Sequence, residues 1–516
     1  MSKKNGKKKV TILDRVERIG NALPHPATIF LILCGVIVVL SAILAASGVS
    51  VTYEGINRTT NVVEEMTVTV NSLLSKEGVQ YLFKSAVSNF TGFAPLGTVL
   101  VALLGVGLAE GTGFISALLK KLVMSTPKRL ITVVVVLAGV LSSIASDAGY
   151  VVLIPLGAII FLSVGRHPMA GLAAAFAGVS GGFSANVMVG PTDSLLGGLT
   201  TEGAKLFDPN YVVGMEANWW FLIASTVLIT VIGTFVTEKI VEPRLGAYKG
   251  DATVEENSMT VTKEEKRGLK FAGIAALVIL VGIIALVGPA NGLLRGTDPG
   301  VQGILKSPFM DSLVFIIALY FGLVGIAYGV GAKTVKNDKD VMNLMGKSMA
   351  SMGSYIVLVF FAAQFVAYFS YTNLGTIIAV KGADMLQAIG LQGIPLVILF
   401  ILVVAFINIF MGSASAKWAI LAPVFVPMLM KVGFTPEFTQ MAYRIGDSTT
   451  NLISPLMSYF ALIVTFAHKY DKDSGIGTLI STMVPYSISL LIGWTLLLII
   501  WFVFNLPLGP GISIFM

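Results

Sequence analysis

Five ionisable residues lie inside long apolar stretches of this chain: Asp147, Asp193, Lys417, Arg444 and Asp447. At the centre of a bilayer each would cost about 2.5–3.5 kcal/mol to insert. Their clustering therefore calls for a use: holding an anion, holding a cation or carrying a proton. Arg444 and Asp447 are three apart and share a helix face, which makes them either a structural ion pair or an anion contact beside a protonatable carboxylate. Asp193 follows Gly190–Pro191 and is either a loop carboxylate near the outer surface or a coupling group. Asp147 reads as an N-cap or a coupling group. Lys417 has a stem long enough to snorkel to a surface. Trp418 beside it is either an interface anchor or a wall for an aromatic solute. Asn186, Asn408, Asn451, Ser146, Ser413 and Ser415 surround these charges. Each can satisfy broken backbone, and as a set they read as a binding site. Pro436 shapes a helix entry.

The elements that must hold these groups are hydrophobic and interrupted. The chain has 516 residues, 55% hydrophobic and 12% charged, about half the charged share of a soluble protein. Simple spans are expected at Ala27–Ser47, Phe93–Leu118, Trp219–Val241, Phe271–Val287, Asp311–Val330, Ala350–Ala367 and Ile476–Phe504, each long enough for about 30 Å of hydrocarbon. Leu130–Val164 and Pro395–Met430 are too long for one span and carry polar residues at their middles. Irregular backbone at depth needs protein or a watery cavity around it, so both read as re-entrant helical hairpins. Each is followed by a broken span: Pro168–Leu199, interrupted around Ser180–Pro191, and Phe438–Ala467, interrupted around Arg444–Pro455.

The expected architecture is an all-α polytopic membrane protein with nine transmembrane helices and two re-entrant hairpins. Lys3–Lys9 form a basic tail, followed by an amphipathic stretch, Val10–Leu23, read as an interfacial helix rather than a signal peptide. With the N-terminus inside, the outside basic residues are confined to Arg58, Lys76, Lys84, Lys205, Arg295, Lys306, Lys381 and Lys431. That asymmetry supports a cytoplasmic N-terminus. The two hairpins then enter from opposite sides, as in an inverted repeat and an elevator-type carrier. One constant offset sets Ala148 on Ala416, Tyr150 on Trp418, Leu153 on Leu421 and Pro155 on Pro423. The expected division is a tail over 1–26, a first repeat over 27–241, a cytoplasmic linker over 242–270 and a second repeat over 271–516. The second repeat is expected to dominate solute recognition and the first to serve ion coupling.

Other classes find little support. Cys34 is the single cysteine. His25, His167 and His468 lack metal-ligand company. No P-loop is present, so an ATP-driven step is unsupported and no cofactor is expected. The net charge of +7 sits in loops that orient the chain, and nucleic acid is not an expected partner. An intramembrane aspartyl protease would need Asp147 and Asp447 as a dyad. The run Arg444-Ile445-Gly446-Asp447 lacks the first glycine of a Gly-x-Gly-Asp motif, and no catalytic residue is assigned.

The runs LDRVERIGNALPHPATIF, SDAGYVVLIPL, SGGFSANVMVGPTD, SASAKWAILAPVFVPM and AYRIGDSTTNLISP together resemble the AbgT family of p-aminobenzoyl-glutamate transporters over nearly the whole chain. The resemblance implies a homodimer with nine membrane helices and two hairpins. It implies functional roles for Asp193, Asn408, Ser415, Trp418, Pro436, Arg444 and Asp447, a folate-related aromatic amide of glutamate as solute, and proton-driven export of sulfonamide-type antimetabolites. Substrate contacts are thus expected from Asn408, Ser415, Trp418, Pro436, Arg444 and Asp447. Ion coupling is expected from Asp193, Asp147, Asn186, Asn451, Ser146 and Ser413. The coupling ion is H+ or Na+, and Na+ would sit near Ser146, Asn186 and Asn451. The runner-up is a Na+-coupled dicarboxylate importer. The expected setting is the bacterial inner membrane.

Overall fold

The computed structural model describes residues 24, 26–56, 63–145, 149–250, 261–298, 302–305, 307–388, 390–457, 459–472 and 474–516. Ser146 and Asp147, expected at the tip of the first hairpin, lie outside the described residues, as does the expected interfacial helix Val10–Leu23.

Apolar composition over 18 or more residues makes the long helices. Those long and apolar enough to cross a membrane, among the described residues, are Pro26–Ala46, Trp219–Leu245, Lys263–Val287, Leu313–Ala332, Gly353–Tyr371, Gly393–Phe410, Ala414–Lys431 and Ile476–Val503. Their outer faces are apolar, as Leu277, Val278, Val281 and Ile284 illustrate at 58–64% exposure. That surface matches lipid, where the hydrogen bonds of each helix must close internally. The helix Lys263–Val287 starts earlier than the apolar run because Thr262 and Glu265 form a reciprocal N-terminal cap.

The expected single span at Phe93–Leu118 is instead two helices, Ala94–Gly111 and Phe114–Met124, bent by 59°. Gly113 lies between them at φ 88°, a left-handed conformation that favours glycine. Further elements went unread in the sequence. Ser50–Ile56 and Val63–Thr69 pair as an antiparallel hairpin with Ser50 opposite Thr69. Asp338–Ser351 and Leu374–Ala388 are additional helices.

Both polar-centred apolar stretches fold as helix, tip and helix. The first runs Ile131–Leu141, then Ile154–Ser163 after a π-turn at Gly149–Leu153. Its arms are too short to span. The second runs Gly393–Phe410 and Ala414–Lys431, 18 residues each, so length alone does not separate its arms from true spans. The first broken span holds where expected: Pro168–Phe176 continues into a π-turn at Ala177–Gly181, and a helix restarts at Pro191.

The second break falls late in its expected run. Pro436–Asn451 is one regular helix containing Arg444 and Asp447; it ends inside the expected interruption, and helix resumes at Phe460–His468. The run RIGDSTTN contains no proline, and Thr449 and Thr450 bond back to the carbonyls of Ile445 and Gly446 at 2.7 Å each. These hydroxyls are satisfied within the helix rather than by unwinding it. Helix then ends ahead of Pro455, whose ring disfavours helix at the preceding residue.

Glycines set the depth of packing in both halves. A Cβ on Gly178 would lie 2.3 Å from the Val136 carbonyl oxygen, and one on Gly446 2.6 Å from that of Ile401. In each half a hairpin's outgoing arm thus rests backbone-to-backbone on the helix that follows it, the close approach small residues permit in membranes.

Candidate functional site

The helix Pro436–Asn451 is buried along its entire length although it is polar. Pro436 is its first residue, and Thr435 caps it by accepting from the Phe438 N–H at 3.4 Å. A proline there loses no hydrogen bond, so its role is to fix the helix entry.

Two ion pairs form along this helix, and neither joins Arg444 to Asp447. Arg444 Nη1 lies 2.6 Å from Asp193 Oδ1, with side-chain exposures of 2% and 5%. Lys417 Nζ lies 2.7 Å from Asp447 Oδ1, at 1% and 0%. Of the two readings that helical spacing left open, the Arg444–Asp447 ion pair is therefore not formed. Each charge of this helix finds its partner on another element, because spacing along one helix says nothing about which neighbours approach it. Asp193 is no outer-loop carboxylate. It is buried, and its second oxygen accepts from the Gly190 N–H at 2.7 Å, closing the restart of the broken helix. Lys417 does not snorkel. Its ammonium is held by Asp447 and by the Asn408 carbonyl oxygen, with the Met411 carbonyl at 3.5 Å.

Asn408 is the hub of this end. Its amide donates to the Asp447 carbonyl at 2.7 Å, to Asn451 Oδ1 at 2.8 Å and to Thr450 Oγ1 at 2.9 Å. Asp447 Oδ2 is buried and has no hydrogen-bond partner among the described residues. Such an atom is costly in a low dielectric, so this carboxylate is the most exacting group in the site.

A second network surrounds Arg444. Gln440 Oε1 accepts from Arg444 Nε at 3.1 Å and from Asn218 Nδ2 at 2.9 Å. The Gln440 amide and the Trp418 indole N–H both donate to Thr200 Oγ1, at 2.8 and 2.9 Å. Trp418 is fully buried, and its ring is stacked on Tyr443 at 4.4 Å. In this conformation it is part of the wall between the two halves and presents no open face. Thr200, Asn218, Gln440 and Tyr443 were missed in the sequence. Gln440 had one legible signal, since it stands one helical turn before Arg444. Ser448 ties this helix to the first break, accepting from the Ser184 N–H at 3.2 Å.

The remaining expected groups divide between backbone support and an open cavity. Asn186 Oδ1 accepts from the N–H groups of Val187 and Met188, 2.9 and 3.3 Å away, and so supports its own loop. Ser413 caps the returning arm of the second hairpin, accepting from the Ala416 N–H at 3.3 Å. Ser413, Ser415 and Asn451 also line a cavity of about 280 Å³ shared with Thr192, Phe183, Tyr150 and Tyr459. That is near the lower end of the usual range for small-molecule sites, roughly 300 Å³. The cavity lies where the second tip, the first break and the second break meet. Asn408, which bonds Asn451, connects it to the Lys417–Asp447 pair.

Multiple lipid-facing helices around a buried, ion-paired polar centre and a small solute-sized cavity define a multi-pass membrane transporter. Comparison with known proteins specifies it further. The chain belongs to the AbgT putative transporter family, whose model matches residues 11–516. It is 42% identical over 497 residues to the p-aminobenzoyl-glutamate transport protein of Escherichia coli (strain K12), covering 96% of each chain. Among solved structures it is similar to the Alcanivorax borkumensis YdaH transporter, at 47% identity and a TM-score of 0.88, covering 94% of this chain and 100% of that one. It is also similar to Neisseria gonorrhoeae MtrF, described as illuminating a class of antimetabolite efflux pumps. There the identity is 50% and the TM-score 0.90, over 97% of this chain and 100% of that one.

Proposed function

We propose that this transporter carries p-aminobenzoyl-glutamate and related aromatic amides of glutamate, and exports sulfonamide-type antimetabolites, across the bacterial cytoplasmic membrane. The observation that carries the reading is the cavity between the second tip and the two breaks. It is lined by the rings of Tyr150, Phe183 and Tyr459 and by the polar groups of Ser413, Ser415, Thr192 and Asn451, and two buried ion pairs lie in the same polar centre. The names of the similar proteins supply the solute class.

Transport is alternating access driven by a gradient of H+ or Na+. The two hairpins re-enter from opposite faces as an inverted repeat, over 27–241 and 271–516, and the unit moves in the manner of an elevator. The matching glycine contacts of the two halves support that symmetry. The N-terminus is cytoplasmic, on the charge asymmetry of the loops, and the working form is a homodimer. The decisive experiment is uptake by proteoliposomes under separately imposed H+ and Na+ gradients. Accumulation of labelled p-aminobenzoyl-glutamate under one gradient is expected. If neither gradient moves it, the reading fails, and if succinate alone moves, the dicarboxylate importer takes its place.

A further inference from the structure

We infer that the solute's aryl ring is selected by Tyr150, Tyr459 and Phe183, and not by Trp418. The inference rests on the solute class just proposed and assigns the part of the cavity that recognises the ring. Tyr150 and Tyr459 are stacked, with centroids 4.6 Å apart and planes 12° from parallel. Tyr150 comes from the returning arm of the first hairpin and Tyr459 from the end of the second break. The pair therefore bridges the two halves at the cavity wall. Phe183, in the first break, lines the same cavity and is half-buried.

The pair is held in place from behind. Tyr150 is 5% exposed, and its hydroxyl donates to Ser180 Oγ at 3.2 Å. Ser180 in turn contacts the Met457 sulfur at 3.1 Å. Tyr459 is half-buried and lines the cavity. A planar ring entering the cavity finds aromatic carbon in its lining, while Ser413, Ser415, Thr192 and Asn451 in the same lining can bond an amide or sulfonamide linkage. Aromatic pairs gain beyond area burial only in stacked or edge-on geometry, so this wall distinguishes an aryl group from an alkyl group of like volume.

Trp418 is the counterpart of Tyr150 under the offset that relates the two halves. It is fully buried, with one face on Tyr443 and its indole N–H on Thr200. Of the two aromatic stacks, one is sealed in the wall and the other borders the cavity.

The test is competition against labelled p-aminobenzoyl-glutamate uptake by benzoyl-glutamate and by acetyl-glutamate, which share the glutamate and differ in the aryl group. Wild type should favour the benzoyl compound. Tyr459→Leu should reduce that preference about three- to tenfold, the scale of an aromatic contact, and Tyr459→Phe should keep it within about twofold. Phe183→Leu is the second variant, expected to lower the preference in the same direction and usable if Tyr459→Leu does not fold. A purely structural role would weaken both competitors equally. An unchanged benzoyl-to-acetyl ratio in the leucine variants overturns the inference. Wild type that carries no p-aminobenzoyl-glutamate refutes the solute reading instead, and does so before any variant is made.

Discussion

Replacing Lys417 with methionine removes a charge but keeps an unbranched stem of similar length. What remains is the Asp447 carboxylate, fully buried, with one oxygen stripped of its 2.7 Å partner and the other already unpartnered among the described residues. At an effective dielectric of about 20 the pair's Coulomb attraction is ~6 kcal/mol. Desolvation of both ions offsets much of it, and breaking one side of a buried pair typically costs about 3–5 kcal/mol. We expect Lys417→Met to destabilise by about that amount, and Lys417→Met/Asp447→Asn to recover most of the loss. A double-mutant cycle, read from denaturant titration of the purified protein in detergent, should give a coupling energy of about 3 kcal/mol. The cycle for Arg444 with Asp193, 2.6 Å apart, should give a similar value. The cycle for Arg444 with Asp447 should give less than half of either. If the last pair couples as strongly as the first two, or if the Lys417 and Asp447 losses simply add, the pairing argued here is wrong.

Three further outcomes are expected. Thr200→Val strips the shared acceptor from the Trp418 indole and the Gln440 amide; a loss of about 1–3 kcal/mol for each orphaned donor should appear as a lower melting temperature, with Thr200→Ser close to wild type. Gly446→Ala forces a Cβ to within 2.6 Å of the Ile401 carbonyl; overpacking of this kind costs about 1–3 kcal/mol, visible in thermal unfolding and in lost uptake. At the loop before Pro168, burial holds the His167 imidazole below its ordinary value, against the pull of Glu242 and Asp471. The folded state then binds protons less readily than the unfolded one. Its stability is full above about pH 6.5, the unfolded value, and is lost as pH falls through the lowered folded value. Protonation would also occupy Nδ1, which accepts from the Met169 N–H at 3.3 Å. His167→Asn, which caps without titrating, should flatten the dependence of melting temperature on pH between about 5 and 7.

The legible part of the site was its inventory. Asp193, Asn408, Ser413, Ser415, Lys417, Arg444, Asp447 and Asn451 stood out because polar atoms are expensive inside an apolar run, and the structure gathers them around one helix, the first break and the second tip. Their partnerships were illegible. Helical spacing offered Arg444 and Asp447 to each other, yet the partners lie 251 and 30 residues away. Thr200 and Asn218 carried no signal, because a hydroxyl or amide in a span can as well bond its own helix. The second break starts later than the onset of its polar run because the hydroxyls of Thr449 and Thr450 are satisfied one turn back, within the helix.

The sequence by itself determined that this is a many-helix membrane protein with two long apolar stretches carrying polar residues at their middles and a charged centre, since hydropathy and the cost of buried charge are local properties. Tertiary structure alone decided which carboxylate answers which cation, which aromatic stack is sealed and which borders the cavity, and how closely the hairpins approach the helices behind them. Those depend on groups brought together from distant parts of the chain, where packing and desolvation act on the whole neighbourhood rather than on any one stretch.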